Sequence, residues 1–222
     1  CSFCRMENLL KTINIPKLIA QTNLIIRHPR TCWDSLSQEN DTPQIIYVKV
    51  VLPLACVGAI ATVIGFQVFG FPTFWGTWRP GLIASFVQQT LYVLVMCAAL
   101  YGDAWVLNKL APQFMAKISV ERAFSLAAYS AVPSLVGELL GILPPLRPIA
   151  ALLSVYSFVV FFYGVRKMVE PASDYTGGAF TDRQNAFFAA AVVATIVVHA
   201  IAGSLIFPFE PSPFTNINSA VN

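Results

Sequence analysis

The chain reads as an all-α polytopic membrane bundle. It has five transmembrane helices, a cytoplasmic N-terminus, an outside C-terminus and a short amphipathic interfacial helix in front. Three observations carry this. Of 222 residues, 56% are hydrophobic and only 11% are charged. A soluble domain carries about 25% charged residues, so this chain has too little charge to cover a water-facing surface. Mean hydropathy is +0.66. Long apolar runs recur where alternating strands do not, and most of the basic residues fall on one side of those runs.

The elements follow in order. Residues 1–46 form a cytoplasmic N-terminal segment. Within it, Leu9, Leu10 and Ile13 recur at helical spacing, followed by Leu18, Ile19, Leu24, Ile25 and Ile26, with Lys11, Lys17 and Arg27 interleaved. Such a segment lies along the inner leaflet or packs on the ends of the spans. Pro16 excludes one continuous helix. Lys17, Arg27, Arg30, Trp33 and Trp105 are candidate interfacial contacts. Residues 47–207 hold five apolar runs, at 47–69, 81–101, 123–143, 146–168 and 185–207, each near the roughly 20 residues that cross the bilayer core. Residues 208–222 form an outer tail.

Basic residues orient the spans. Arg5, Lys11, Lys17, Arg27, Arg30 and Lys49 precede or open the first. Lys109, Lys117 and Arg122 lie in the second-to-third connection, and Arg166, Lys167 and Arg183 in the fourth-to-fifth. The opposite side has only Arg79 and Arg147. The connection after residue 101, "GDAWVLNKLAPQFMAKIS", suits a surface-lying turn or short helix. Thr181 and Gln184 read as a capping box for the fifth helix.

Polar groups inside spans are costly and each needs a reason. Counting about 1.5 Å per residue, Gln67, Gln88, Gln89, Glu138, Arg147 and His199 share the outer half of the bilayer. One reading is an outward polar cavity in which Glu138 and His199 exchange a proton. The other is structural: Glu138 pairs with Arg147 or His199, and the glutamines bridge helices. Pro133 kinks the third span by removing a bond to the Tyr129 carbonyl, and Ser130 is placed to help satisfy the freed backbone. Tyr129, Tyr156 and Tyr163 are placed to anchor at interfaces or to bond across helices.

No catalytic set is legible: His28 and His199 fall on opposite sides of the membrane, and no HExxH, GxSxG or phosphate-cradling loop occurs. Cys1 and Cys4 make one CxxC pair, where a zinc ribbon needs two. Neither a cofactor nor a metal is expected, and no basic patch with interleaved aromatics points to nucleic acid.

Two stretches carry a family resemblance. "RHPRTCWDSL" (27–36) precedes the first span, and "AYSAVPSLVGELLGILPPLRPIAALLSVYSFVVFFYGVRKM" (128–168) has a tyrosine-serine before a proline, a proline-rich break and a tyrosine-glycine ending in a basic pair. From Arg27 onward the chain resembles the Yip1-domain family of five-span membrane proteins, in its bacterial form. The resemblance implies a non-enzymatic scaffold or adaptor of a bacterial inner membrane, working with the lipid bilayer, other membrane subunits or a second copy. Eukaryotic members resemble adaptors that bind small GTPases; a eukaryotic-type cytosolic "DLYGP" motif is not matched here, "LYGDAW" (100–105) being a faint echo, so GTPase binding is not carried over. The alternative is a small-solute or ion transporter using the outer polar groups.

Overall fold

The computed structural model describes residues 14–206 apart from residues 40, 74, 75, 174 and 178. The CxxC pair, the start of the amphipathic segment and the tail from 208 onward lie outside the described residues. Within them, five helical spans are long and apolar enough to cross a membrane: Pro43–Val68, Leu82–Phe114, Val120–Ile142, Pro144–Met168 and Thr181–Ile206.

Two short helices precede the spans. Helix α1 (Ile15–Arg27) is capped by Asn14, whose side chain accepts the Lys17 N–H at 3.0 Å. It starts late enough that Pro16 sits in its first turn, where no intrahelical N–H bond is lost. Helix α2 (Pro29–Leu36) begins at Pro29, so "RHPR" is the corner between the two. This corner turns α2 onto the bundle. Ile25, Cys32, Trp33 and Leu36 are buried, whereas Ile15, Ile19 and Leu24 stay exposed.

Helix α3 (Pro43–Val68) forms the first span. Its turn Tyr47–Val51 is π-helical. Pro53 follows it and has no N–H for the Lys49 carbonyl, and a widened turn accommodates such a gap. A small antiparallel pair, β1 (Phe71–Thr73) and β2 (Gly76–Trp78), connects it to the next helix. Gly70 enters this hairpin at φ +72, a left-handed conformation that a side chain rarely adopts.

Helix α4 (Leu82–Leu110) corrects the expected end near residue 101: it runs 29 residues and continues as a 3-10 turn, Ala111–Phe114. Residues 102–114 of the expected surface-lying connection therefore continue the helix instead of leaving it. The physical reason is burial: Ala104 and Leu107 are fully enclosed, and no proline interrupts the helix before Pro112.

The third span is two helices, α5 (Val120–Ser130) and α6 (Val132–Leu139), broken ahead of Pro133 as expected. Two 3-10 turns, Leu140–Ile142 and Pro144–Leu146, then form the proline-rich reversal into α7 (Arg147–Met168). Helix α8 (Thr181–Ile206) is the fifth span. Thr181 is its first helical residue, not the cap before it, and Gln184 donates to the Val169 carbonyl at 3.0 Å, tying α8 to the end of α7.

One end of the bundle is cinched by polar contacts. Strand β3 (Ala116–Lys117) pairs with β4 (Glu170–Pro171), joining two inter-span connections. Arg122 pairs with Glu170 and Lys167 with Asp34. Arg30 donates to the Tyr163 hydroxyl at 3.1 Å and stacks over its ring. The core beneath includes an aromatic triad of Tyr47, Tyr101 and Phe124, with ring centroids 4.9 to 5.2 Å apart.

Candidate functional site

The polar groups expected as one outer cluster are brought together only in part: Glu138 and Arg147 interact, whereas His199 falls elsewhere. Gln67 donates to the Pro80 carbonyl at 3.0 Å and to the Ser85 hydroxyl at 3.2 Å, pinning the end of α3 to the start of α4. Glu138 accepts the Tyr92 hydroxyl at 2.9 Å, a bond between α6 and α4. Arg147 stacks on the Phe66 ring at 5.3 Å and lies within electrostatic reach of Glu138. Gln88 and Gln89 are half-buried. Gln89 lines a groove between α3 and α4 with Cys56, Val63 and Phe86.

His199 corrects the expectation most sharply. It meets neither Glu138 nor Arg147. Its Nδ1 lies 2.9 Å from the Thr195 carbonyl and 3.7 Å from Asp103 Oδ2. The carbonyl can only accept, so Nδ1 carries a proton. Helix α4 carries Asp103 past residue 101, where α8 lies beside it. Asp103 is only 3% exposed. Sequence reasoning placed it in a loop; the available signal was the unbroken run of helix formers up to Pro112.

Two further expectations change. Ser130 does not help the backbone freed by Pro133, because its Oγ is buried with no partner among the described residues. Trp33 is not an interfacial residue. It is 1% exposed, its indole N–H donates to the Val160 carbonyl at 2.9 Å, and it stands edge-on to Tyr129 at 6.4 Å. Arg27 is exposed, Lys17 pairs with Glu39 at 3.8 Å, and Trp105 is 60% exposed. Tyr156 bonds across elements, donating to the Ile26 carbonyl at 2.9 Å.

Small residues decide how closely the helices approach. A Cβ on Gly65 would lie 2.2 Å from the Gly141 carbonyl oxygen, one on Gly58 would lie 2.7 Å from Glu138 Cβ, and one on Gly141 would lie 2.4 Å from Thr62 Oγ1. Close approach through small residues is the main route to packing between membrane helices, where no hydrophobic drive operates. Glu138 thus sits at a close crossing between α3 and the α6 turn.

The arrangement has a recognisable identity. The Yip1 domain model matches residues 23–205, from α1 to the last turn of α8. The chain belongs to the Yip1-domain family. No curated protein and no solved structure matches it. In this Yip1-domain chain the matched region begins inside α1, so the Trp33 anchor belongs to the domain and is not an appendage to it. Among the described residues, no group of three or more His, Cys, Asp or Glu side chains is placed to hold a metal.

Proposed function

We propose that this protein is a non-enzymatic membrane scaffold, an accessory subunit or membrane organiser of the bacterial inner membrane. Its N-terminal end faces the cytoplasm. The reading rests on one observation above all: α1 is held to the bundle through Ile25, while Ile15 and Ile19, one turn apart, stay exposed. Trp33, buried against α7, and the Tyr156 bond to Ile26 fix that geometry. A helix with this division lies in the headgroup region, its apolar side toward acyl chains. The chain's other outward apolar surfaces, along α4 and α8, then meet lipid or partner helices.

The polar groups support the same reading. Glu138 and Gln67 spend their bonds on neighbouring helices, which is how polar side chains join helices in a bilayer. Transport is the second reading, favoured by the Asp103–His199 contact beside a cavity. Purification of the full chain in mild detergent, followed by mass spectrometry, separates the two. A stoichiometric membrane partner is the expected result. Recovery of the chain alone, with proton-coupled solute flux after reconstitution, would overturn the scaffold.

A further inference from the structure

Between α4, α7 and α8 the bundle stays open. Helix α8 packs along α4 and touches α7 only lightly. A cavity of about 420 Å³ fills the gap, walled at its back by α5 and α6. That volume is in the range of small-molecule sites. Its wall is mostly apolar, with Met96, Leu100, Phe158 and Phe161 prominent.

Ser134, Ser154, Thr195 and His199 also line the cavity, and two further polar atoms in its wall stand out. Asp103 Oδ1 and Ser130 Oγ are both buried, and neither has a hydrogen-bond partner among the described residues. Both residues line the cavity, with exposures of 3% and 5%. Ser130 differs from its peers: Ser85, Ser125, Ser154 and Ser157 each turn the hydroxyl back onto the carbonyl four residues earlier. The second carboxylate oxygen of Asp103 faces His199 at 3.7 Å, too far for a hydrogen bond. The His199 Nδ1 proton already goes to Thr195. A carboxylate oxygen in such a place is expensive until a donor reaches it.

We propose that this cavity binds an amphiphile with a primary-amine head, whose ammonium donates to Asp103 Oδ1 and Ser130 Oγ. Its apolar body lies against Met96, Phe158 and Phe161. The head group follows from the chemistry of the orphan atoms. An ammonium offers three donors and no acceptor. A carboxylate oxygen needs a donor, and charge on both partners strengthens the bond. An anionic head is repelled by Asp103, and a bare ion leaves the apolar wall unused. The site stands independently of the scaffold reading.

The test uses the full chain in nanodiscs of choline-headed phospholipid, with dodecylamine carrying a photoactivatable diazirine on its alkyl chain. Mass spectrometry should place the label on the Met96–Asp103 and Phe158–Phe161 regions. Unlabelled dodecylamine should compete at least tenfold better than dodecanol. In Asp103→Asn, loss of a charge-assisted bond should raise the competing concentration roughly ten- to a hundredfold. Gly203→Phe provides a variant that spares the fold: Gly203 lines the cavity, and a Cβ there meets nothing within 4 Å. It should abolish labelling while leaving the protein monodisperse. If adding ethanolamine-headed phospholipid protects the site, the occupant comes from the bilayer. If it does not protect while dodecylamine still competes, the occupant is a free long-chain amine. Equal competition by dodecanol, or wild-type labelling in monodisperse Asp103→Asn and Gly203→Phe, overturns the proposal.

Discussion

Trp33 offers the most direct test of how the N-terminal helices are held. Its indole is buried between α2, Tyr129 and the Gly164 turn of α7, and its N–H reaches the Val160 carbonyl. Trp33→Ala removes that volume and that bond. Large-to-alanine changes of this kind cost about 3–5 kcal/mol in a packed site. At about 1.4 kcal/mol per decade, local detachment of α2 should become roughly a hundred to several thousand times more frequent. The five spans also pack directly on one another, so the bundle should remain assembled.

Cys32 reports the detachment. It is buried in the native chain, and burial, with Glu39 nearby, pushes its thiol from an ordinary 9.0 up to about 11. Maleimide labelling at Cys32, read by mass spectrometry at pH 8, should be slow in the wild type and much faster in Trp33→Ala. Gly164→Leu attacks the same contact from the opposite wall, since a Cβ there would lie 2.6 Å from the Trp33 ring. It should accelerate labelling too. Unchanged labelling in both variants, with each protein monodisperse, would refute the anchoring role of Trp33.

Four further outcomes are expected. The raised Cys32 thiol favours the folded state below pH 9, and that contribution is lost as pH rises through about 11; native-state alkylation should therefore climb across that upper range and not around pH 9. Glu138→Gln and Tyr92→Phe should each lower the thermal midpoint modestly. A double-mutant cycle should give a coupling of about 0.5–2 kcal/mol, and Glu138→Gln should leave no pH-dependent flux to lose; a flux abolished by this change would instead establish transport through Glu138. Gly65→Ala should destabilise assembly by about 1–3 kcal/mol or more, because its Cβ meets backbone at 2.2 Å. Gly141→Ala should be partly rescued by Thr62→Ala, which removes the hydroxyl it strikes; equal stability of Gly141→Ala with and without that second change, by thermal unfolding, would count against the crossing.

Much of the architecture was legible because membrane constraints are local. A span must be long and apolar over its own length, so the five runs were readable one at a time. The break before Pro133 followed from one missing N–H. The short reversal at Pro144, Pro145 and Pro148 followed from the same chemistry. Where local signals stopped, the reading went astray. Gly102 and Asp103 resembled the start of a loop, yet the helix continues because Ala104 and Leu107 are covered by neighbours. Trp33 suggested an interface because tryptophan is frequent there; its burial depends on a glycine more than a hundred residues away in sequence, which leaves room for the ring.

The candidate site divides along the same line. Glu138 could be singled out from sequence because a carboxylate in an apolar run always calls for a partner. That its partner is Tyr92 could not be read, since a tyrosine in a span carries no mark of which helix it faces. Depth counting placed His199 beside Glu138; packing placed it beside Asp103. Composition and periodicity by themselves determined that this chain is a helical membrane protein with five spans long and apolar enough to cross a bilayer, because each of those properties is set within a segment. Only the tertiary structure decided which polar groups satisfy one another, where the glycines let helices touch and where a cavity is left with two unsatisfied atoms, because those depend on the register between helices distant in the chain.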